Sequence, residues 1–228
     1  MKHSSTPIPA KLLSRPNRFL GVVELDGVET QCFIPNPGRM HELMVPGTRV
    51  YLFEHRAEHR KTDYDLTLVE YNNTLISIDS RLPNYMLREA ITEVKIPEFK
   101  GYHVDRMEPT FYDSRLDLQL SDGEKQLLLE AKSCTLVEDS IALFTDAPTK
   151  RGARHMNTLT KALEYGRASV CFIIQRNDAV EWRPNEKMDP DFTENLRKAV
   201  QKGVEAYAYT CKITLEETTI MKRIKINL

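Results

Sequence analysis

The chain has 228 residues, of which 29% are charged and 41% hydrophobic, a composition typical of a globular protein. Its formal net charge of −1 excludes an overall basic surface, so nucleic-acid binding would have to use local basic patches. No apolar run is long enough to span a membrane and residues 1–18 lack the apolar core of a secretory signal, so we expect a cytoplasmic protein. Four widely spaced cysteines are expected to be reduced thiols in the core: Cys32, Cys134, Cys171 and Cys211.

The first third of the chain carries short alternating segments separated by turn residues, the pattern of β-strands. Segments 19–25 and 28–34 flank Asp26-Gly27, a strong hairpin signal. Further strands are expected at residues 48–53, 65–71 and 74–78. Five short strands in about 60 residues predict a small OB-fold barrel, which we assign to residues 1–80. Barrels of this kind bind single-stranded nucleic acid or serve as scaffolds.

From about residue 81 the periodicity changes to that of a mixed α/β core. Helices are expected over residues 84–94, 149–165 and from 189 to about 203. Gly166 is expected to end the second of these helices. The continuous apolar run at residues 169–174 predicts a buried strand. We therefore expect a second domain over residues 81–228, built as a mixed sheet flanked by helices.

Two carboxylates and a lysine stand out on a predicted hairpin of this second domain. Asp117 lies on an alternating strand, Asp122-Gly123 marks the turn, and Glu130 and Lys132 lie on the next strand. A loop of two or of four residues puts Asp117 opposite Leu128 or Glu130. Both registers leave Asp117, Glu130 and Lys132 on one face, because side chains alternate along a strand. Carboxylate oxygens about 5–8 Å apart across two strands suit Mg²⁺ or Mn²⁺.

An exposed hairpin with an ordinary salt bridge would have the same pattern, since Asp, a gap and Glu-x-Lys occur by chance in many proteins. The pattern also resembles the PD-(D/E)XK nuclease superfamily, the fold of many restriction enzymes. That resemblance implies a restriction-endonuclease-like fold for residues 81–228, with a central mixed sheet flanked by helices. It also implies that the hairpin carboxylates hold a divalent ion.

The whole chain resembles the sugar fermentation stimulation protein A family. The motifs that carry the resemblance are Arg18-Phe19, Pro35-Asn36-Pro37-Gly38-Arg39-Met40, Ser114-Arg115-Leu116-Asp117, Glu130-Ala131-Lys132, residues 144–155, residues 172–176 and Asp189-Pro190-Asp191-Phe192. The resemblance implies an OB-fold followed by a nuclease-like domain, DNA binding, and a link to sugar metabolism. The chain departs from the family pattern at Pro37 and at Thr145, and neither change touches the candidate metal ligands.

The resemblance also suggests roles for residues around the hairpin. Asp117 and Glu130 are the candidate metal ligands and Lys132 the candidate catalytic cation. Ala131 would add its backbone carbonyl to the metal shell, as is common in this fold. Glu89, on the preceding predicted helix, occupies the usual place of an additional acidic ligand or water-orienting group. A solvent-facing helix glutamate is the alternative for Glu89.

Nucleic acid would contact cations near the start of the second helix, where a helix N-terminus already favours phosphate. These candidates are Lys150, Arg151, Arg154 and His155. A charged, solvated turn is the alternative, and His155 could equally be a structural histidine. Arg115 is expected either to hold a phosphate or to pair with a carboxylate. Arg39, in a glycine-containing turn, either approaches nucleic acid or serves the turn alone.

Two functions compete for this set of residues. The first is a Mg²⁺- or Mn²⁺-dependent nuclease acting on DNA, with RNA as a further candidate substrate. The second is a non-catalytic DNA-binding regulator of sugar metabolism, maltose metabolism in particular. The complete Asp/Glu/Lys set favours the nuclease, because clustered carboxylates without a metal would repel phosphate. In a carbohydrate-binding barrel we would expect exposed aromatic side chains as platforms for sugar rings. The chain has one Trp, which does not favour that function. The sequence leaves strandedness, sequence preference and homodimer formation open.

Overall fold

The computed structural model describes residues 1–3 and 5–228, and the N-terminal part of the chain is a closed barrel. Its strands are β1 (Ile8–Asn17), β2 (Leu20–Leu25), β3 (Val28–Phe33), β4 (Arg49–Glu54), β5 (Tyr64–Tyr71) and β6 (Thr74–Ser77). They pair in the order β3-β2-β1-β4-β5-β6, and a contact between Phe33 and Asp65 joins β3 to β5 and closes the barrel. The OB-fold that the sequence predicted is present, but its five strands are β1 to β5 and not the predicted β2 to β6. β6 adds a hairpin to β5.

The first barrel strand, β1, was missed by the sequence pattern. It contains Pro9 and Pro16, and proline inside a run argues against a strand. Pairing of β1 with β2 begins only at Lys11, so Pro9 has β4 as its one neighbour. Pro16 lies where the register between β1 and β2 is irregular. Both prolines thus occupy the positions that a sheet tolerates.

The predicted hairpin between β2 and β3 is present. Its turn residues Asp26 and Gly27 both have positive φ, 51° and 80°, as a two-residue hairpin turn with the strand twist requires. Inward-facing apolar side chains from the strands and the segment that follows β3 fill the barrel. The fully buried members include Leu12, Val23, Ile34, Leu52, Leu66 and Ile76.

The second part of the chain is a nine-stranded sheet with helices on both faces. The helices are α1 (Leu82–Thr92), α2 (Lys150–Ala162) and α3 (Pro190–Gln201). The strands are β7 (His103–Met107), β8 (Thr110–Phe111), β9 (Ser114–Arg115), β10 (Leu118–Ser121), β11 (Gln126–Cys134), β12 (Val137–Glu138), β13 (Ile141–Phe144), β14 (Gly166–Ile174), β15 (Glu181–Pro184), β16 (Glu205–Ile213) and β17 (Thr218–Ile226). The sheet order is β12-β13-β15-β17-β16-β14-β11-β10-β7, and β8 and β9 form a separate small hairpin. The mixed sheet with flanking helices is the predicted architecture.

The central strands β11, β14 and β16 run parallel and separate two apolar cores. Alternate residues of each strand point to opposite faces, so Leu128 and Leu129 belong to different cores. α2 and α3 cover the face of Leu128, whereas α1 covers the face of Leu129. A side chain on β11 therefore faces either α2 or α1 according to its parity.

Helix α2 is shorter than the sequence predicted, because Gly166 does not end it. The helix stops at Ala162, and Gly166 is instead the first residue of β14, paired with Gln126 of β11. A Cβ at position 166 would lie 2.2 Å from the carbonyl oxygen of Gln126. The glycine is thus needed for the close approach of two strands. At its other end, α2 begins at Thr149, whose side chain accepts a hydrogen bond from the backbone N–H of Gly152.

The two parts of the chain are joined by hydrogen bonds around Gln175. Its carbonyl accepts from the backbone N–H of Ser77 at 3.0 Å, and its side-chain amide donates to the Ser77 hydroxyl at 2.8 Å. On the other side of the junction, Asp146 accepts from the backbone N–H of Met40 at 3.1 Å. Among the residues that the structure describes, no helix is long and apolar enough to cross a membrane.

Candidate active site

Glu130 and Lys132 lie on β11 and point toward α2, on the face of Leu128. Glu130 is 3% exposed, and burial of a carboxylate requires partners. Its Oε1 atom accepts a hydrogen bond from Lys132 Nζ and lies 2.5 Å from His155 Nδ1. Its Oε2 atom is buried and has no hydrogen-bond partner among the described residues. One oxygen of Glu130 is therefore satisfied and the other is left for a ligand.

The charges around Glu130 keep it ionised despite its burial. Burial by itself raises the pKa of this carboxyl, but the Lys132 ammonium and the hydrogen bond from His155 outweigh that effect and hold the pKa below its ordinary value. Because its pKa is lowered, the Glu130 carboxyl is an anion at neutral pH. Such an anion can coordinate a cation through Oε2.

Asp117 lies just before β10 and is held across the hairpin. Its backbone N–H donates to the Leu129 carbonyl at 3.2 Å, and its Oδ2 accepts from the Ala131 N–H at 2.7 Å. The pairing of Leu118 with Leu129 continues to place Asp117 opposite Glu130. The hairpin loop has four residues, 122–125, so the register with Leu128 opposite Asp117 is excluded.

The Glu130 carboxylate also affects the pKa of Asp117. Burial, followed by repulsion from the Glu130 carboxylate, raises the pKa of Asp117 to about 7. Lys132, the Ala131 N–H and Arg151 oppose this rise but do not cancel it. The negative charges of the two carboxylates repel each other, and a cation bound between them would remove that repulsion.

A divalent cation fits these donors. The site offers hard carboxylate oxygens, one of them buried and without a partner, which are the ligands that Mg²⁺, Mn²⁺ and Ca²⁺ prefer. Across residues 1–3 and 5–228 no group of three or more His, Cys, Asp and Glu side chains could hold a metal. An ion here would thus take its remaining ligands from backbone or water, as Mg²⁺ commonly does.

His155 is buried under the site and does not face solvent. It is 1% exposed, so the expectation that it contacts nucleic acid directly is wrong. Arg151 Nε donates to His155 Nε2 at 3.3 Å, which leaves Nδ1 as the donor to Glu130. The sequence placed Arg151 and His155 on one face of the helix but gave no sign that His155 reaches a strand 25 residues earlier.

The predicted cations around the site differ in their surroundings. Lys150, Arg151 and Arg154 are exposed at the start of α2, and none forms an ion pair with a carboxylate in the described part of the chain. Arg115 is exposed on the β8–β9 hairpin and pairs with the exposed Glu108 at 3.5 Å.

Glu89 and Arg39 are the two remaining predicted site residues. Glu89 is on α1, which covers the opposite face of the sheet, and it pairs with the amino terminus at 2.6 Å. The structure therefore does not bring Glu89 together with Asp117 and Glu130. Arg39 is exposed in the loop after β3, and its carbonyl accepts a hydrogen bond from Arg15.

Comparisons with known proteins cover both parts of the chain. Residues 81–217 match the family described as the sugar fermentation stimulation protein RE domain, and residues 13–78 match the SfsA N-terminal OB domain. Two relatives are each described as a sugar fermentation stimulation protein homolog. The one from Caldanaerobacter subterraneus is 40% identical over 222 residues, and the one from Moorella thermoacetica 43% identical over 224 residues. In both cases the alignment covers 97% of each chain.

A solved structure has the same fold along its full length. The structure of Pyrococcus furiosus SfsA in complex with Ca²⁺ superposes with a TM-score of 0.92 at 29% sequence identity. The comparison covers 100% of this chain and 98% of that one.

Proposed function

Because the chain belongs to the sugar fermentation stimulation protein family, and because two carboxylates converge beside a lysine in it, we propose that it is a divalent-metal-dependent nuclease that hydrolyses phosphodiester bonds in DNA. The observation that carries the proposal is the buried, partnerless Oε2 of Glu130 opposite Asp117. A structural salt bridge would need neither the second carboxylate nor the free oxygen.

Mg²⁺ or Mn²⁺ is the proposed ion, held by Asp117, Glu130 and the backbone carbonyl of Ala131. The P. furiosus relative was solved in complex with Ca²⁺, which is also a hard divalent cation with a preference for oxygen ligands. When bound, such an ion supplies positive charge to the scissile phosphate and lowers the pKa of a water molecule.

The protein's own residues hold and tune this site. Lys132 is close enough to Glu130 to hydrogen-bond with it, and its ammonium would stabilise negative charge that develops on the phosphate. His155 fixes the orientation of the Glu130 carboxylate through Nδ1, and Arg151 fixes the ring through Nε2. His155 is thus a positioning residue, whereas Lys132 is the proposed catalytic residue.

DNA would be bound through its phosphates at the start of α2. Exposed cations at a helix N-terminus add to the dipole and the free N–H groups there. The proposed phosphate contacts are Lys150, Arg151 and Arg154, with Arg115 and Arg39 as outlying ones. Their local concentration offsets the neutral overall charge of the chain.

The proposal is tested by DNA cleavage with Mg²⁺, Mn²⁺ or EDTA. Wild type should cleave only with metal, and Lys132→Ala should lose cleavage while DNA binding changes little, because a single cation among several adds little to ground-state affinity. Lys125→Ala, an exposed lysine in the turn before the same strand, is the matched control and should cleave like wild type. A wild type that binds DNA tightly but cleaves nothing with either metal would instead support the non-catalytic regulator.

A further inference from the structure

An apolar groove opens on the barrel face formed by β2, β3, the β1–β2 turn and the loop between β4 and β5. Its floor is formed by Phe19, Leu20 and Phe33, and its rim carries Arg60 and Lys61. The cavity has a volume of about 510 Å³. Phe19 is 49% exposed, and its ring stacks on the ring of Phe33.

The two rings of the groove are arranged as a stacking surface. The ring centroids of Phe19 and Phe33 are 6.1 Å apart and their planes differ by 14°. The inner ring, Phe33, lies under the guanidinium of Arg60 at 5.5 Å. The outer ring is held by its turn, because the Asn17 side chain accepts from the backbone N–H groups of Phe19 and Leu20. These bonds hold the backbone that carries Phe19, whose ring is about half exposed.

Charge at the groove favours a polyanion. No acidic side chain lines it within the part of the chain that the structure describes. Lys61 is exposed and forms no ion pair with a described carboxylate, whereas the charge of Arg60 is shared with Asp65. An aromatic face beside an uncompensated cation matches a nucleotide, in which a planar base is joined to a phosphate.

A second cavity begins beside the groove, at the neighbouring residue of the β1–β2 turn. Arg18, next to Phe19 in the β1–β2 turn, lines this cavity of about 330 Å³ between the barrel and the sheet domain. Ser133 and Thr149 also line it. A strand lying across the Arg18-Phe19 turn would therefore pass from the groove into this cavity.

We propose that this groove binds unpaired nucleotides of single-stranded DNA, with a base stacked on Phe19 and a phosphate at Lys61, and that the strand continues past Arg18 into the interdomain cavity. In a duplex the base faces are covered by neighbouring bases, so only an unpaired segment can offer one to Phe19. The direction of the strand rests on the proposed nuclease function, whereas binding in the groove does not.

The test is fluorescence anisotropy of a labelled oligo-dT and of a duplex of the same length, in EDTA so that no DNA is cleaved. Phe19→Ala should weaken single-strand binding by about 5- to 150-fold, the range for loss of one base–aromatic stack, and leave duplex binding within twofold. Lys61→Ala should make single-strand binding less dependent on salt. Tyr85→Ala is the matched control, since Tyr85 is also an exposed ring beside an arginine but lies on α1, away from the groove.

A second variant reports on stacking directly. Phe19→Trp should retain single-strand affinity, and its fluorescence should be quenched by oligo-dT, while Trp182 is fully buried and should not respond. Equal affinity of wild type and Phe19→Ala for oligo-dT, or an equal loss in Tyr85→Ala, would overturn the proposal. If wild type binds oligo-dT in this way but cleaves no DNA, the groove stands and the nuclease fails. If wild type cleaves DNA but Phe19→Ala binds oligo-dT as tightly as wild type, the nuclease stands and the groove fails.

Discussion

Replacing Asp117 with asparagine should stabilise the metal-free protein above neutral pH. The pKa of this carboxyl is about 7 in the folded protein against an ordinary value of 3.8, because the group is partly buried and faces the Glu130 carboxylate. The folded state therefore binds a proton more tightly than the unfolded state, and its stability falls as pH rises from about 4 to about 7. Asparagine keeps the shape and removes the charge.

The size of the effect follows from the two pKa values. Their difference corresponds to about 4 kcal/mol above pH 7, at 1.36 kcal/mol per pKa unit. Asp117 is only half-buried, so solvent screening reduces the expected gain to about 2 kcal/mol. For a chain of this length, that gain raises the melting temperature by about 4–8 °C.

Thermal unfolding in EDTA at pH 5 to 9 measures this gain. The difference in melting temperature between Asp117→Asn and wild type should widen up to about pH 7 and then stay constant. Asp113→Asn removes an exposed carboxylate four residues earlier and should show no such trend. Adding Ca²⁺ at pH 8 should raise the melting temperature of wild type more than that of Asp117→Asn. An Asp117→Asn protein no more stable than wild type at pH 8 would refute the account of the site.

Two further variants test the surroundings of the carboxylates. Alanine at the three exposed cations of α2 should reduce the slope of log affinity for DNA against log salt concentration by about 2.7. DNA titrations at several salt concentrations measure this slope. An unchanged slope would show that these cations do not contact DNA. These cations are Lys150, Arg151 and Arg154. His155→Ala should lower stability by about 1.5–3 kcal/mol in urea unfolding, because it removes a hydrogen bond to the buried Glu130 carboxylate. Asn157→Ala, exposed on the same helix, should change little, and equal effects of the two would argue against the contact.

The hairpin of the candidate site could be predicted from sequence because its determinants are local. Alternation fixes which residues of β11 share a face, and Asp122-Gly123 marks the turn. Alternation could not predict the length of the hairpin loop. The loop has four residues, and this places Asp117 opposite Glu130. The helices were found for the same reason, since an amphipathic period is visible in a short window.

The failures share a dependence on distant parts of the chain. Glu89 was expected near the carboxylates, but an amphipathic helix packs equally well on either face of a sheet, and α1 packs on the other one. Residues 8–17 form strand β1 because they pair with β2 and β4. The local sequence around Pro9 and Pro16 carries no information about those distant partners. Gly166 was expected to end a helix, as glycine often does. In the structure a glycine is needed there because the backbone of Gln126 lies too close for a side chain.

The contact between His155 and Glu130 joins the two halves of the candidate site. Arg151 is exposed at the helix terminus where phosphate would bind, and it holds the His155 ring that holds Glu130. A phosphate that draws Arg151 outward would lengthen its bond to His155 and loosen the orientation of the Glu130 carboxylate. Because Glu130 is buried, its orientation is set by these few partners and not by solvent. The geometry of the proposed metal ligand would therefore depend on the state of the helix end proposed to bind phosphate, which local sequence patterns on either element do not encode.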